Sequence, residues 1–460
     1  MTVISTTSGR VRGEVVDGIH RFLGVPYAAA PEGERRFAAP QPSTWDGERD
    51  ATRPGPIAPQ VIRKLPGLDL GALLSVPQPQ GGEYLTVDVH SPDPSVGSLP
   101  VMVFIHGGAF IYGTGSAPVY DGAAFARRGV VLVTINYRLG IDGFLPLAGG
   151  DTNIGLRDQL AALHWVRDNA AAFGGSADNI TVFGESAGGI SIACLLSSPL
   201  ARGLFRRAIV ESGHPDMIRT TELAGTVAER VAEKLGVPAT AEAFRALSTR
   251  QLTDVQTEIT TPGQTLDLRD ANGFDPGYGL APFLPVFGDD VLPAHPRERP
   301  DSDVDLIAGS NAEEMRLYFV PRGLLDVITD EQAVAILGAS RPDAAEVLTT
   351  FGLGEKPTAE VFVAAMTDLV FAGGARRLAE QHPGRAFQYR FDWRSPLFDG
   401  RLGACHGLEL PFVFDNLAVA QAFVGPNAPR ELAAEMNAAW VRFAETGDPG
   451  WEAGAVRSFG

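Results

Sequence analysis

The sequence predicts an α/β protein with a mostly parallel central sheet and helices on both faces. Runs rich in β-branched residues recur along the chain, and stretches with apolar residues at helical spacing lie between them. The strand-like runs are VMVFI (101–105), VVLVTINY (130–137), ITVF (180–183), RAIV (207–210), VDLIAG (304–309) and FQYRFDW (387–393). Between the second and third, Leu156, Leu160, Leu163 and Val166 recur at helical spacing, which predicts an amphipathic helix over 156–173. A further helix is expected from 187 to 196. The run PRELAAEMNAAWVRFAETGDPG predicts a last one, stopped by Gly447 and Pro449. Pro- and Gly-rich segments at 53–82 and 262–288 lack periodicity and read as long surface loops, the usual material of binding-site walls. No repeat or low-complexity tract divides the chain, so residues 1–460 are expected to form a single domain.

Composition narrows the function. The 45% apolar and 20% charged content is that of a globular protein, far from the disordered range. A formal charge of −17 offers no basic face for phosphates, so no nucleic-acid partner is expected. The N-terminus has no basic stretch followed by an apolar one, and no apolar run approaches the roughly 18 residues of a membrane span. No membrane partner is therefore expected. Cys194 and Cys405 are too few for a disulfide framework or a zinc cluster; two reduced thiols and a cytoplasmic setting are the expectation, with no metal and no cofactor. Only Lys64, Lys234 and Lys356 are lysines among 38 basic residues, which reads as GC-rich bacterial coding rather than as function.

The chemistry centres on ITVFGESAGGISIACLL (180–196). Ser186 stands in a G-x-S-x-G pattern between a short strand and a helix, the strand–turn–helix setting of a nucleophile elbow. Side chains at 184 and 188 would clash across so tight a turn, and the helix aims its positive end and the Ala187 N–H at the space before Ser186. The stretch VMVFIHGGAFIYGTG (101–115) runs a strand into adjacent glycines, like the oxyanion loops of lipases and esterases. The N–H groups of Gly108 and Ala109 are thus expected to join that of Ala187 in an oxyanion hole.

A nucleophile needs a base and an acid. In the order serine, acid, histidine, four histidines follow Ser186. His295 and His382 lie in Pro-flanked loops and read as solvated; His214 follows RAIVESG and lines the same cleft. His406, in LGACHGLELPFVF after FQYRFDW, is the best placed. The strand VDLIAG is followed by Glu313 and Glu314, and spacing does not choose between them.

These motifs together resemble the type-B carboxylesterases, the α/β-hydrolase family that includes cholinesterases and bacterial para-nitrobenzyl esterases. The resemblance runs nearly end to end, through FLGVPYAAAPEGERRFAAPQP, IHGGAF, NIGLRDQLAALHWVRDNAAAFGGSADNITVFGESAGG, GSNAEEM, GACHGLELPFVF and WVRFAETGDPG. It implies an α/β-hydrolase fold and a serine carboxylesterase acting on small-molecule esters through an acyl-enzyme. By similarity to the family's G-x-N-x-x-E pattern, Gly309 and Asn311 place the acid at Glu314 and leave Glu313 where relatives carry a solvated residue. It also implies that Glu185 lies near the base of the gorge, tuning water and His406. Activity is expected to need His406 in its neutral form, able to act as a base.

The chain departs from the family in places. Secreted members pair two cysteines where Ala58 and Tyr84 stand here. The loop between them, 59–83, has no aromatic residue, so a cation–π cage for quaternary ammonium is not expected from it. Its leucines read equally as an apolar gorge wall and as loop packing. Gly279 and Ala281 stand where cholinesterases narrow the acyl pocket with aromatics, which implies a pocket roomier than acetyl requires. The chain ends soon after GDPG, so the last packing element is expected to be short or absent. Small apolar or aryl esters are the expected substrates. Carbamate or amide hydrolysis, and a non-catalytic binding protein of the same fold, are the alternatives; all three triad positions are filled, which argues against the last. Oligomeric state is left open, a monomer being compatible.

Overall fold

Alternate residues of each central strand face opposite sides of one sheet, and the chain builds a separate core on each. Val101, Val103, Ile105 and Val182 belong to one buried cluster; Met102, Phe104 and Phe183 belong to the other. The computed structural model describes the chain except residues 63, 75–77, 262–265 and 299–302. Its strands are β1 (Thr2–Ser5), β2 (Arg10–Val16), β3 (Ile19–Pro26), β4 (Glu48–Asp50), β5 (Thr86–Ser91), β6 (Leu99–Ile105) and β7 (Val131–Ile135). They continue with β8 (Gly175–Glu185), β9 (Arg207–Glu211), β10 (Arg219–Thr220), β11 (Val286–Phe287), β12 (Asp305–Asn311), β13 (Ala386–Phe391) and β14 (Val456–Phe459).

Twelve strands form one sheet in the order β1-β2-β3-β5-β7-β6-β8-β9-β12-β13-β14, with β4 beside β2; β10 and β11 pair separately. Pairing is antiparallel from β1 to β7 and parallel from β7 to β14. β6, β7, β8, β9, β12 and β13 match the strand-like runs of the sequence, whereas β14 had no such run. β1 to β5 gave no such signal: β1 and β2 are partly open to solvent and keep Arg10, Arg12 and Glu14 among their residues, and buried β5 carries Asp88 and His90.

The helix expected over 156–173 spans Ile154–Asn169 and tightens into a 3-10 turn, Ala170–Phe173. The last helix, Arg430–Thr446, stops at Gly447, which takes the left-handed conformation (φ 76°) that a residue without Cβ adopts freely. After it, β14 is only four residues long yet pairs with β13, and Phe459 closes on Trp440 with ring centroids 5.9 Å apart. The final element is therefore short but present. One helix, Thr358–Gln381, reaches 24 residues and is apolar enough to span a bilayer by length and composition, a correction to the expectation of none. Most of its apolar window is buried in the protein, including Phe362, Ala365 and Met366 in the larger core, and a buried core helix meets the same criteria.

Candidate active site

Three strand ends bring the predicted residues together. Ser186 follows β8, Glu314 lies just past β12, and His406 lies in the loop after β13, all beyond the carboxyl ends of strands in the parallel half of the sheet. Side chains placed there face a common crevice, because parallel strands expose their carboxyl ends together.

The elbow is tight. Ser186 has φ 55° and ψ −121°, a conformation that costs a residue with a side chain about 1–3 kcal/mol. Its N–H donates to Glu211 O at 2.9 Å, and the helix Ala187–Leu195 starts at once behind it. A Cβ on Gly184 would come within 2.6 Å of Ile105 O, and one on Gly188 within 1.9 Å of the same oxygen. Only glycine lets the elbow press onto β6. Gly107 faces Ser186, since a Cβ there would lie 3.1 Å from Ser186 Cβ. Beyond it, Gly108 (φ 109°) and Ala109 (φ 51°) turn the chain. Among the described residues, the N–H groups of Gly108, Ala109 and Ala187 donate to no protein acceptor.

His406 and Glu314 are joined by a 2.7 Å hydrogen bond from Nδ1 to Oε2, and the His406 N–H donates to Glu314 O at 3.1 Å. The other carboxylate oxygen, Oε1, accepts from Ser212 Oγ at 2.6 Å and from Asn311 N at 2.7 Å. Glu314 is fully buried, and the three bonds to its carboxylate fix the side chain that holds the ring. Phe371 stacks on the imidazole with centroids 4.3 Å apart and Tyr318 lies at 5.8 Å. Glu313 points elsewhere, to Arg316 and Arg394, and so is ion-paired and largely buried where the family pattern implied a solvated residue.

Glu185 reaches the second imidazole nitrogen, with Oε1 3.0 Å from Nε2, although off the line a hydrogen bond needs. Among the described residues no hydrogen bond joins Ser186 Oγ to His406. Catalytic contacts of this kind are commonly loose before substrate arrives. Burial, and then repulsion from Glu314 and Glu211, pushes the Glu185 carboxyl well above the usual range, which favours its neutral form.

Sequence reasoning missed two further buried acids beneath the crevice. Glu409 accepts from Asn311 Nδ2 and Glu211 from Trp440 Nε1, each leaving its other oxygen unpartnered. Burial is the main cause that raises both; Glu211 moves from 4.5 to about 8, its Trp440 bond pulling the other way. The unfolded chain ionises Glu211 near 4.5 and the folded chain only near 8, so stability falls as pH rises between those values. Glu211→Gln is expected to make the fall of Tm across that window shallower, checked by melting curves at pH 5 to 8.5. An unchanged slope would remove the assignment of Glu211 as a buried neutral acid. The signal in the sequence was Glu211–Ser212 at the end of the strand next to the elbow, where polar residues have no solvent to face.

The other predicted residues lie further out. His214 is buried, its Nε2 donating to Val370 O at 2.8 Å, with Asp216 beside Nδ1. Gly279 and Ala281 belong to a loop wrapped on an ion pair: Gly279 N donates to Asp275, and Ala281 O accepts from Arg219. His295 is half-buried. His382 is not solvated as its loop suggested; it is buried and its Nε2 meets Val304 O at 2.7 Å. In the loop 59–83, Leu68 and Leu73 are buried in the second core, and Leu73 lies 3.8 Å from where a Cβ of Gly407 would stand, beside Glu185. Both cysteines are buried and unpaired, and among the described residues no group of three His, Cys, Asp or Glu is placed to hold a metal ion.

A crossed antiparallel-to-parallel sheet with an elbow after β8 defines the α/β-hydrolase fold. Comparison with known proteins agrees: the carboxylesterase family model matches residues 1–456. Para-nitrobenzyl esterase of Bacillus subtilis is 38% identical over 98% of this chain and 91% of its own length. Phenmedipham hydrolase of Pseudarthrobacter oxydans is 36% identical, over 97% and 90%. Among solved structures, a carboxylesterase of Geobacillus stearothermophilus superposes with TM-score 0.83 at 35% identity, covering all of this chain and 96% of the other. The chain belongs to the carboxylesterase family and is a carboxylic-ester hydrolase.

Proposed function

We propose that the protein is a serine carboxylesterase for small apolar or aryl esters, with Ser186 as nucleophile, His406 as general base and acid, and Glu314 as the residue that orients His406. The observation that carries this is the 2.7 Å bond between Glu314 and His406 Nδ1, made beyond the carboxyl ends of β12 and β13 in the parallel half of the sheet that also carries the strained Ser186. With Nδ1–H held by Glu314, the neutral ring presents Nε2 as a base. It leaves Glu185 and takes the Ser186 proton as Oγ attacks the ester carbonyl. The N–H groups of Gly108, Ala109 and Ala187 receive the developing oxyanion, and His406 returns the proton to the departing alcohol. Water repeats the sequence on the acyl-enzyme and releases the carboxylic acid.

The same reading treats residues 1–460 as one catalytic unit, since the sheet carrying the site draws strands from Thr2 to Phe459. It places the enzyme in a bacterial cytoplasm, in keeping with two buried free thiols. Covalent labelling of Ser186 by an organophosphate tests the nucleophile. A series of p-nitrophenyl acetate, butyrate and hexanoate, with matched amide and carbamate, tests the substrate class. Butyrate is expected to be turned over at least as well as acetate, and the ester faster than either analogue. A steep fall from acetate to butyrate would contradict the roomier acyl pocket.

A further inference from the structure

Behind the turn that carries Phe371 lies a separate cavity of about 340 Å³ that the ester chemistry does not use. It is at the lower end of the ~300–1,000 Å³ range that small ligands occupy. One part of its lining is apolar and aromatic. Phe274 and Tyr278 meet edge to face at 5.6 Å, Phe287 and His295 at 5.3 Å, and Leu223 and Leu369 fill between.

The polar part of the lining holds three arginines, Arg219, Arg297 and Arg377, against two aspartates. Arg297 and Arg377 both pair with Asp216, Arg297 through Nε at 2.8 Å and Arg377 through Nη2 at 3.1 Å. Among the described residues Asp216 is the only acidic partner of either, so two cations share one carboxylate. Arg219 also lines the cavity; it is 2% exposed and paired with Asp275, yet its Nε has no acceptor. A buried N–H without a partner is costly and calls for an acceptor. The other acid of the lining, Asp270, accepts the N–H groups of Asn272 and Phe274 and is held within its own loop.

We propose that this cavity is an accessory binding site for a small aryl carboxylate. A carboxylate accepts the spare guanidinium donors in the paired geometry for which arginine is suited, and the aromatic side takes the ring. The acid released by hydrolysis of an aryl-acid ester is a ligand of this class. Occupancy would be felt at the catalytic ring: Leu369 lines the cavity, His214 bonds Val370 O, and Phe371 stacks on His406.

Benzoate is the probe, with benzamide as its neutral isostere and inorganic phosphate as a bare anion, titrated calorimetrically into the whole protein. Arg297→Gln and Arg377→Gln are the variants, each of which leaves Asp216 one guanidinium; unchanged melting curves verify their folding. Benzoate is expected to bind wild type at least about tenfold more tightly than either variant, the scale of one charge-assisted pair, and more tightly than benzamide or phosphate binds wild type. Equal benzoate affinity in wild type and both variants overturns the proposal, as does benzamide or phosphate binding as tightly as benzoate. A benzoate-soaked crystal with the carboxylate out of hydrogen-bond reach of both guanidiniums overturns it too. None of these outcomes bears on Ser186, whose labelling is a separate result.

Discussion

Ser186→Ala is expected to lower kcat for p-nitrophenyl ester hydrolysis by about 10⁵-fold or more, leaving the residual rate that an oxyanion hole and binding alone supply. Oγ is the only atom lost, and the fold has no stake in it: the backbone bond from Ser186 N to Glu211 O and the helix behind are unchanged. Alanine also adopts the strained conformation no worse than serine, so Tm should hold while turnover disappears. Single-turnover measurements with p-nitrophenyl acetate should lose the burst of acyl-enzyme as well. Wild-type turnover in Ser186→Ala would sink the mechanism outright.

Glu314→Gln is expected to cost about 10³–10⁴-fold in kcat, while Glu313→Gln stays within about tenfold. The amide is nearly isosteric, but it carries no charge to stabilise the imidazolium, and its NH2 can face Nδ1 and hold the ring in the wrong tautomer. Ser212 Oγ and Asn311 N, both of which donate to Glu314 Oε1, lose their ionic acceptor at the same time. Among the described residues, the Glu313 carboxylate pairs with Arg316 and Arg394 and accepts the Ala404 N–H, with no bond to His406. Steady-state kinetics on the two variants decide the matter. A larger loss in Glu313→Gln than in Glu314→Gln would reverse the assignment.

The contrast between these two neighbours shows what was legible in the sequence. Both glutamates follow the same strand, and spacing alone did not separate them; the choice needed the family's motif. The parallel strands were readable because burial on both faces demands unbroken apolar runs, as in VMVFI and ITVF. β1 and β2 were not, since a strand half open to solvent spreads its charge among its apolar residues. The elbow was visible because its glycines are dictated by contacts a few residues away. Glu185 against His406, Ser212 against Glu314 and Trp440 against Glu211 join positions up to 229 residues apart, and no local pattern records such a meeting. The burial of His382 was hidden for the same reason: its acceptor, Val304 O, lies on another part of the chain.

Those long connections bear on the life of the chain during synthesis. Ser186 emerges early, but its base comes 220 residues later, and the helix whose Trp440 ties down Glu211 later still. If His406 is the base, a ribosome-bound chain that has finished its elbow and half its sheet carries Ser186 without the group proposed to take its proton. Because domains fold as units while the chain emerges, hydrolytic power arrives as a late, all-or-nothing event. On the proposed mechanism, ester turnover is expected only from chains long enough to have released His406 from the ribosome.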